Sequence, residues 1–132
     1  MRQMIAAYAG GMTAFLAIDA IWLSIMGPRF YKPMLGDLVL ERFSVPPAIA
    51  FYLIYGVGLT AFAIMPAVTA GRPASAALTG ALFGFVAYAT YDLTNQATLR
   101  NWPLTLTIVD MIWGAVLSGL AAYAGYQVAS RF

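Results

Sequence analysis

The chain contains neither cysteine nor histidine in its 132 residues. Without cysteine, both disulfides and thiolate metal sites are excluded. Without histidine, the usual haem ligand, the Glu-x-x-His pairs of di-iron sites and the commonest general base are all missing. We therefore expect no haem, iron or zinc cofactor. Any chemistry must use carboxylates, tyrosines, amides or the backbone.

Charge is also scarce, because only 9% of the residues are charged, against roughly 25% in an average soluble protein. Hydrophobic residues make up 62% of the chain, and the mean hydropathy is +0.79. A single domain of this size cannot bury so much apolar surface in water. Long apolar runs without strand alternation are typical of a polytopic α-helical membrane protein. The formal net charge of +2 is too small to indicate nucleic-acid binding.

Four apolar runs are each roughly 20 residues or longer, enough to cross a hydrocarbon core of about 30 Å. Gly27-Pro28 is expected to end the first run, and Pro66 and Gly71 the second. The sequence predicts one domain over residues 1–132, an all-α bundle of four transmembrane helices with a short interfacial segment after the first helix. The predicted spans cover residues of about 4–26, 46–65, 75–98 and 104–129.

The one sizeable connection, residues 28–45, reads PRFYKPMLGDLVLERFSV. Its apolar residues recur at helical spacing, and its charged residues fall largely on the other side. This pattern predicts a short amphipathic helix in the membrane surface. An ordinary loop that touches the bundle is the alternative.

Four spans place both termini on one side of the membrane, here called the near side. The basic residues divide almost evenly and therefore set no orientation under the positive-inside rule. On the near side are Arg2, Arg72 and Arg131, and on the far side are Arg29, Lys32, Arg42 and Arg100.

Three of the five acidic residues, Asp19, Asp92 and Asp110, lie inside apolar runs. Each is seven or eight residues from the far end of its helix, which places all three roughly 10–12 Å below that end. An acid at mid-helix costs roughly 2.5–3.5 kcal/mol to insert. We therefore expect these carboxyl groups to face each other, a cation or water. Where two approach closely, like charge favours protonation of one.

Two tryptophans follow the acids in a repeated D-x-I-W pattern, as IDAIW and VDMIW. Each tryptophan lies one turn from its acid on the same helix face. Aromatic walls above and below a carboxylate layer would suit a cationic or amphipathic ligand, although each tryptophan alone is equally well explained by packing. The predicted binding residues are Asp19, Trp22, Tyr52, Tyr55, Asp92, Asn95, Arg100, Asp110 and Trp113.

Two of these assignments have structural alternatives. The three acids could instead pair with Arg29, Lys32 or Arg100 and only fix the helix register. Arg100 itself could be a side chain that anchors a helix end at the membrane surface.

Small residues permit close helix contacts in three places. They occur as Gly10-Gly11, as Gly80-x-x-x-Gly84 and as Gly114-x-x-x-Ser118-x-x-x-Ala122. Packing within the chain is the first interpretation of these stripes, and a homodimer seam is the second.

The block YDLTNQATLRNWP (residues 91–103), followed by VDMIWG and preceded by IDAIWL, resembles a family of small bacterial predicted membrane proteins that is catalogued as a domain of unknown function. The resemblance covers nearly the whole chain. It implies an integral protein of the bacterial inner membrane with four spans, and it implies nothing about a reaction.

Three functions are compatible with this sequence. The first is binding or translocation of a proton, a small cation or a cationic amphiphile by the carboxylate cluster. The second is a membrane-embedded lipid-modifying enzyme that uses aspartates as acid and base, or Mg²⁺ held by aspartates and Asn95. The third is an accessory subunit of a larger membrane complex.

Overall fold

The structure, a computed structural model, describes residues 1–132, and its regular elements are all helical, with no strand. Two π-helical turns, Gly27–Tyr31 and Thr60–Ile64, join helices end to end, and a 3₁₀ turn covers Gly36–Leu38. The six α-helices are α1 (Arg2–Met26), α2 (Lys32–Leu35), α3 (Val45–Leu59), α4 (Met65–Ala70), α5 (Pro73–Thr98) and α6 (Leu104–Ala129).

These elements form four helical segments that are long and apolar enough to cross a membrane. They are Arg2–Leu38, Val45–Ala70, Pro73–Thr98 and Leu104–Ala129. A helix of 26 residues is about 39 Å long, more than the hydrocarbon core of about 30 Å. Large apolar side chains such as Ile21, Ile54 and Leu78 are exposed on the outside of the bundle. The predicted all-α bundle of four membrane helices is confirmed.

The first span does not end at Gly27-Pro28, as the sequence predicts, because helical structure continues to Leu38. Pro28 has no N–H and its ring would clash with the carbonyl one turn earlier. The backbone widens here into a π turn, in which the Lys32 N–H donates to the carbonyl of Gly27. The helical structure therefore continues past Pro28 without a break.

The second span passes Pro66 in a similar way. The π turn Thr60–Ile64 precedes it, with the Met65 N–H donating to the carbonyl of Thr60. The helix ends only at Gly71, whose φ of 65° lies in the left-handed region that glycine adopts without cost.

The predicted interfacial segment is an extension of the first helix rather than a separate surface helix. It comprises the π turn, α2 and the 3₁₀ turn, and we call residues 27–38 the strap. Residues 39–44 have no regular helix. Tyr31 and Leu35 of the strap contact the bundle, so the alternative of a connection that touches the bundle is closer to the structure.

Helix α6 is the centre of the bundle and packs most extensively against α5 and then α1. The small residues make these approaches possible. A Cβ on Gly84 would collide with the Gly114 carbonyl and the Ser118 side chain. On the other face, a Cβ on Gly10 would lie 2.7 Å from the Cβ of Val128. The small-residue stripes are therefore occupied by packing within the chain.

The apolar core fills the middle of the bundle on the near side of the acids. Its fully buried large side chains include Phe15, Leu59, Ile64 and Leu117. Tyr55 is part of this core, where its hydroxyl and that of Ser118 form a hydrogen bond of 2.6 Å. The core fixes α3 against α6 and so positions the residues above it.

Candidate functional site

A cavity of about 390 Å³ lies where the strap meets α1, α3, α5 and α6. It is partly open, and eight of its fifteen lining residues are aromatic. The lining residues are Asp19, Trp22, Leu23, Tyr31, Leu35, Phe51, Tyr52, Ala87, Tyr88, Tyr91, Asp92, Trp102, Leu106, Asp110 and Trp113. All three aspartates predicted to converge therefore line one space.

Asp19 is held by two neutral donors from two other helices. The Tyr52 hydroxyl of α3 donates to Oδ2 at 2.9 Å, and the Trp113 Nε1–H of α6 donates to Oδ1 at 3.2 Å. Hydrogen bonds to a carboxylate favour its ionised form and can stabilise it without adding a positive charge. Both oxygens of the Asp19 carboxyl are therefore held in place by hydrogen bonds.

Asp110 is held through the strap. The Tyr31 hydroxyl donates to Asp110 Oδ1 at 2.8 Å, and the Trp22 Nε1–H donates to the same Tyr31 hydroxyl at 3.0 Å. The two D-x-I-W units are thus crossed: Trp113 bonds to the acid of α1, and Trp22 reaches the acid of α6 through Tyr31. This reciprocity follows from packing α1 and α6 against each other in opposite directions.

Trp22 and Trp113 stack on each other, with ring centroids 4.1 Å apart and planes within 8°. The sequence suggested aromatic walls above and below the carboxyl groups. The structure instead gives one double wall on one side, because the two helices bring equivalent positions face to face. Tyr52, Tyr88, Tyr91 and Trp102 supply the other aromatic surfaces.

Asp92 is fully buried, and neither of its oxygens has a hydrogen-bond donor. The Asp110 carboxyl is close to it and lines the same cavity. Two ionised carboxylates have no hydrogen to share, so this contact is a hydrogen bond only when one of them carries a proton.

No lysine or arginine side chain lines the cavity. The side chains that donate to Asp19 and Asp110 are tyrosines and a tryptophan, so pairing with Arg29, Lys32 or Arg100 does not explain the acids. No group of three or more acidic side chains is arranged to hold a metal ion.

Three of the predicted binding residues lie elsewhere. Tyr55 is buried in the core below the cavity. Asn95 is half-buried on α5 and Arg100 is exposed in the turn after it, and neither lines the cavity. Similar depth or a shared helix face was therefore not enough to place a side chain in the site, since the cavity occupies only one sector of the bundle.

Several lining residues have no clear signal in the sequence. Tyr31 and Leu35 come from the strap, in which the sequence suggested only Arg29 and Lys32 as partners of the acids. Trp102 resembles a membrane-surface tryptophan, but it is buried, and its Nε1–H donates to the Thr107 hydroxyl at 3.0 Å. Tyr88 and Tyr91 precede Asp92 by four residues and one residue on α5, and Tyr88 could have been found by its helical spacing.

A second, wholly apolar groove of about 290 Å³ lies beside the cavity on the surface of the bundle. It shares the stacked tryptophans with the cavity, so the aromatic pair separates a charged space from an apolar one. Its lining residues are Ile18, Ile21, Trp22, Ile25, Met26 and Trp113.

One protein family matches the chain over residues 4–127, and its description is Predicted membrane protein (DUF2177). The chain belongs to DUF2177. No curated protein and no solved structure matches it. The DUF2177 match includes residues of all four candidate spans, so every residue that lines the cavity lies within the matched part of the chain. The family description and the four apolar helices together indicate an integral membrane protein.

Proposed function

We propose that this protein binds a cationic amphiphile in the cavity, with the positively charged group beside the aspartates. The observation that carries the proposal is a cavity with three carboxyl groups and eight aromatic rings, to which no lysine or arginine contributes. The negative charge has no positive side chain in the cavity to balance it. A ligand cation would supply that balance.

The aromatic lining favours an organic cation over a hydrated metal ion. A desolvated cation over the face of tryptophan or tyrosine gains about 2 kcal/mol or more. Tyrosine and tryptophan donors already hold Asp19 and Asp110 in place. The cation would therefore meet preorganised carboxylates, which lowers the ordering cost of binding.

The apolar groove beside the stacked tryptophans supports an amphiphile in particular. A volume of about 390 Å³ is within the usual range for small-molecule sites. An apolar group attached to the cation could pass the Trp22 and Trp113 pair and lie in the groove. Relative to water, each CH₂ buried there would contribute about 0.8 kcal/mol.

Tryptophan fluorescence offers a direct test, because the chain has three tryptophans and all three line the cavity. We expect benzyltrimethylammonium to change the emission of the purified protein in detergent in a saturable way. Its neutral carbon isostere, neopentylbenzene, should bind at least tenfold more weakly, because it offers no charge to the aspartates. Equal binding of the two compounds would contradict the proposal.

The matched variants are Asp19→Asn and Asp37→Asn. The first removes a cavity charge while keeping the side-chain shape, and we expect a loss of at least tenfold in affinity, about 1.4 kcal/mol. The second removes an exposed charge on the strap, outside the cavity, and should leave affinity unchanged. Elution as a single species and an unchanged helical circular dichroism spectrum would show that both variants fold.

Translocation of the bound cation is the further part of this proposal, and the resemblance to small bacterial membrane proteins described above supports only its setting, a bacterial inner membrane. It predicts uptake of the same cation into vesicles that contain the protein. A homodimer would have to use a surface other than the small-residue stripes. Retention of tight Mg²⁺ would favour a lipid-modifying enzyme, and copurification of a stoichiometric partner would favour an accessory subunit.

A further inference from the structure

We infer that Asp92 and Asp110 share one proton in the empty cavity and release it when the cation binds. The site would then exchange one proton for one cation. The inference rests on the proposed function, since it concerns the change in protonation of the same cavity when the cation binds. Of the three carboxyl groups in the cavity, only that of Asp92 has no hydrogen-bond donor.

Asp92 is fully buried, lines the cavity and receives no hydrogen bond from any other group. A buried ion without partners costs several kcal/mol. Its carboxyl and that of Asp110 line the same cavity, and a proton between the two would turn an electrostatic repulsion into a hydrogen bond. Asp110 also accepts a hydrogen bond from Tyr31, whereas Asp92 accepts none, so the inference places the shared proton on Asp92.

No lysine or arginine side chain faces the Asp92 and Asp110 pair, so no side chain supplies the positive charge that would replace this proton. Facing it are Asp19 from α1, Tyr31 from the strap, Tyr52 from α3, and Tyr88 and Tyr91 from α5. A tyrosine hydroxyl ordinarily ionises near pH 10, so these tyrosines are neutral donors at pH 7. Asp19 adds a negative charge, which further favours a proton on the pair.

The exchange is balanced in charge. Before binding, the pair carries one negative charge and Asp19 carries another. The cation brings one positive charge into the cavity, and its attraction to the carboxyls makes it favourable for the Asp92 O–H bond to break. The proton leaves to bulk water through the open side of the cavity, and the total charge of the site is unchanged.

Infrared spectroscopy tests the shared proton without any ligand. At pH 7 in an ester-free alkyl maltoside, the protein should show the C=O stretch of one protonated carboxyl group. The band should be missing in Asp92→Asn and present in Asp37→Asn, because Asp37 is exposed and lies outside the cavity. Absence of the band from the wild-type protein would overturn the inference while leaving cation binding intact.

Proton release on binding tests the exchange. In weakly buffered solution, benzyltrimethylammonium should release about one proton per cation bound and abolish the infrared band. The affinity should therefore rise about tenfold per pH unit while the pair is protonated. In Asp92→Asn, the amide can donate to Asp110 but has no proton to release, so binding should be weaker, independent of pH and free of proton release.

The outcomes separate this inference from the proposed function. Binding with the band retained, no proton released and an affinity that is flat with pH would overturn the exchange alone. Failure of the cation to bind at any pH would overturn the proposed function and the exchange together. Asp37→Asn, which leaves the cavity unchanged, should behave as the wild-type protein in every measurement.

Discussion

At the scale of single residues, the site depends on which donors reach which acids. Asp19 and Asp110 share the D-x-I-W pattern. Yet Asp19 accepts a hydrogen bond directly from a tryptophan, whereas Asp110 accepts one from Tyr31, which in turn accepts from a tryptophan. Asp92 has a comparable helical position and receives no donor. The three carboxyl groups therefore have different chemical roles, and this difference comes from neighbours that are far away in the sequence.

Tyr55 provides a residue-scale prediction, because it was expected in the site and lies in the core instead. Its hydroxyl pairs with that of Ser118 across α3 and α6. Tyr55→Phe and Ser118→Ala should each lower the free energy of unfolding by about 0.5–2 kcal/mol. The double variant should lose less than the sum, since neither partner is then left unsatisfied.

The measurement is unfolding by SDS in mixed micelles, followed by circular dichroism. Cation affinity should stay within twofold of wild type in Tyr55→Phe, because the side chain does not line the cavity. A large loss of affinity with unchanged stability would show that Tyr55 acts in the site after all.

At the scale of helices, two features shape the bundle: π turns beside prolines and glycines at crossings. The π turn at Gly27–Tyr31 carries the first helix past Pro28 and delivers Tyr31 to Asp110. The crossing of α5 and α6 is close because Gly84 has no side chain. The π turn places Tyr31 in the lining of the cavity, and Gly84 sets the distance between the helices that carry Asp92 and Asp110.

The same substitution at two glycines tests the crossing. Gly84→Ala should lower the free energy of unfolding by about 1–3 kcal/mol, because its Cβ would push α6 away. Gly27→Ala is the control, since no atom outside its chain neighbours and the backbone of its own helix lies within 4 Å of the position of its Cβ, and its φ of −54° is helical. The gain in helix propensity is opposed by the contact of a Cβ with the ring of Pro28, so the change in the free energy of unfolding should stay within about 1 kcal/mol of zero. Equal effects of the two changes would contradict the packing described for α5 and α6.

At the scale of the whole molecule, the bundle has two unlike ends. The strap and the turn before α6 cover the end with the cavity, while the apolar core and both termini are at the other. A ligand would therefore reach the aspartates from the far side of the membrane or from the bilayer beside the tryptophan pair. The topology of four spans makes this asymmetry testable.

Cysteine labelling can check the topology, because the chain has no cysteine of its own. Single variants Gln3→Cys and Ser130→Cys should react with a membrane-impermeant maleimide from the same side of sealed vesicles. Ser44→Cys should react only from the opposite side. Labelling of Gln3→Cys and Ser130→Cys from different sides would rule out an even number of spans.

The sequence by itself determined the fold class, since long apolar runs with so few charges can satisfy their backbone only as membrane helices. It also identified Asp19, Asp92 and Asp110, because the insertion cost of a buried acid leaves few places for it to face. Only the tertiary structure decided that Tyr31 and Trp102 enter the cavity and that Tyr55, Asn95 and Arg100 stay out. Helical period gives the depth and direction of a side chain relative to its own helix, whereas the rotation of each helix and the path of the strap are set by contacts between distant residues.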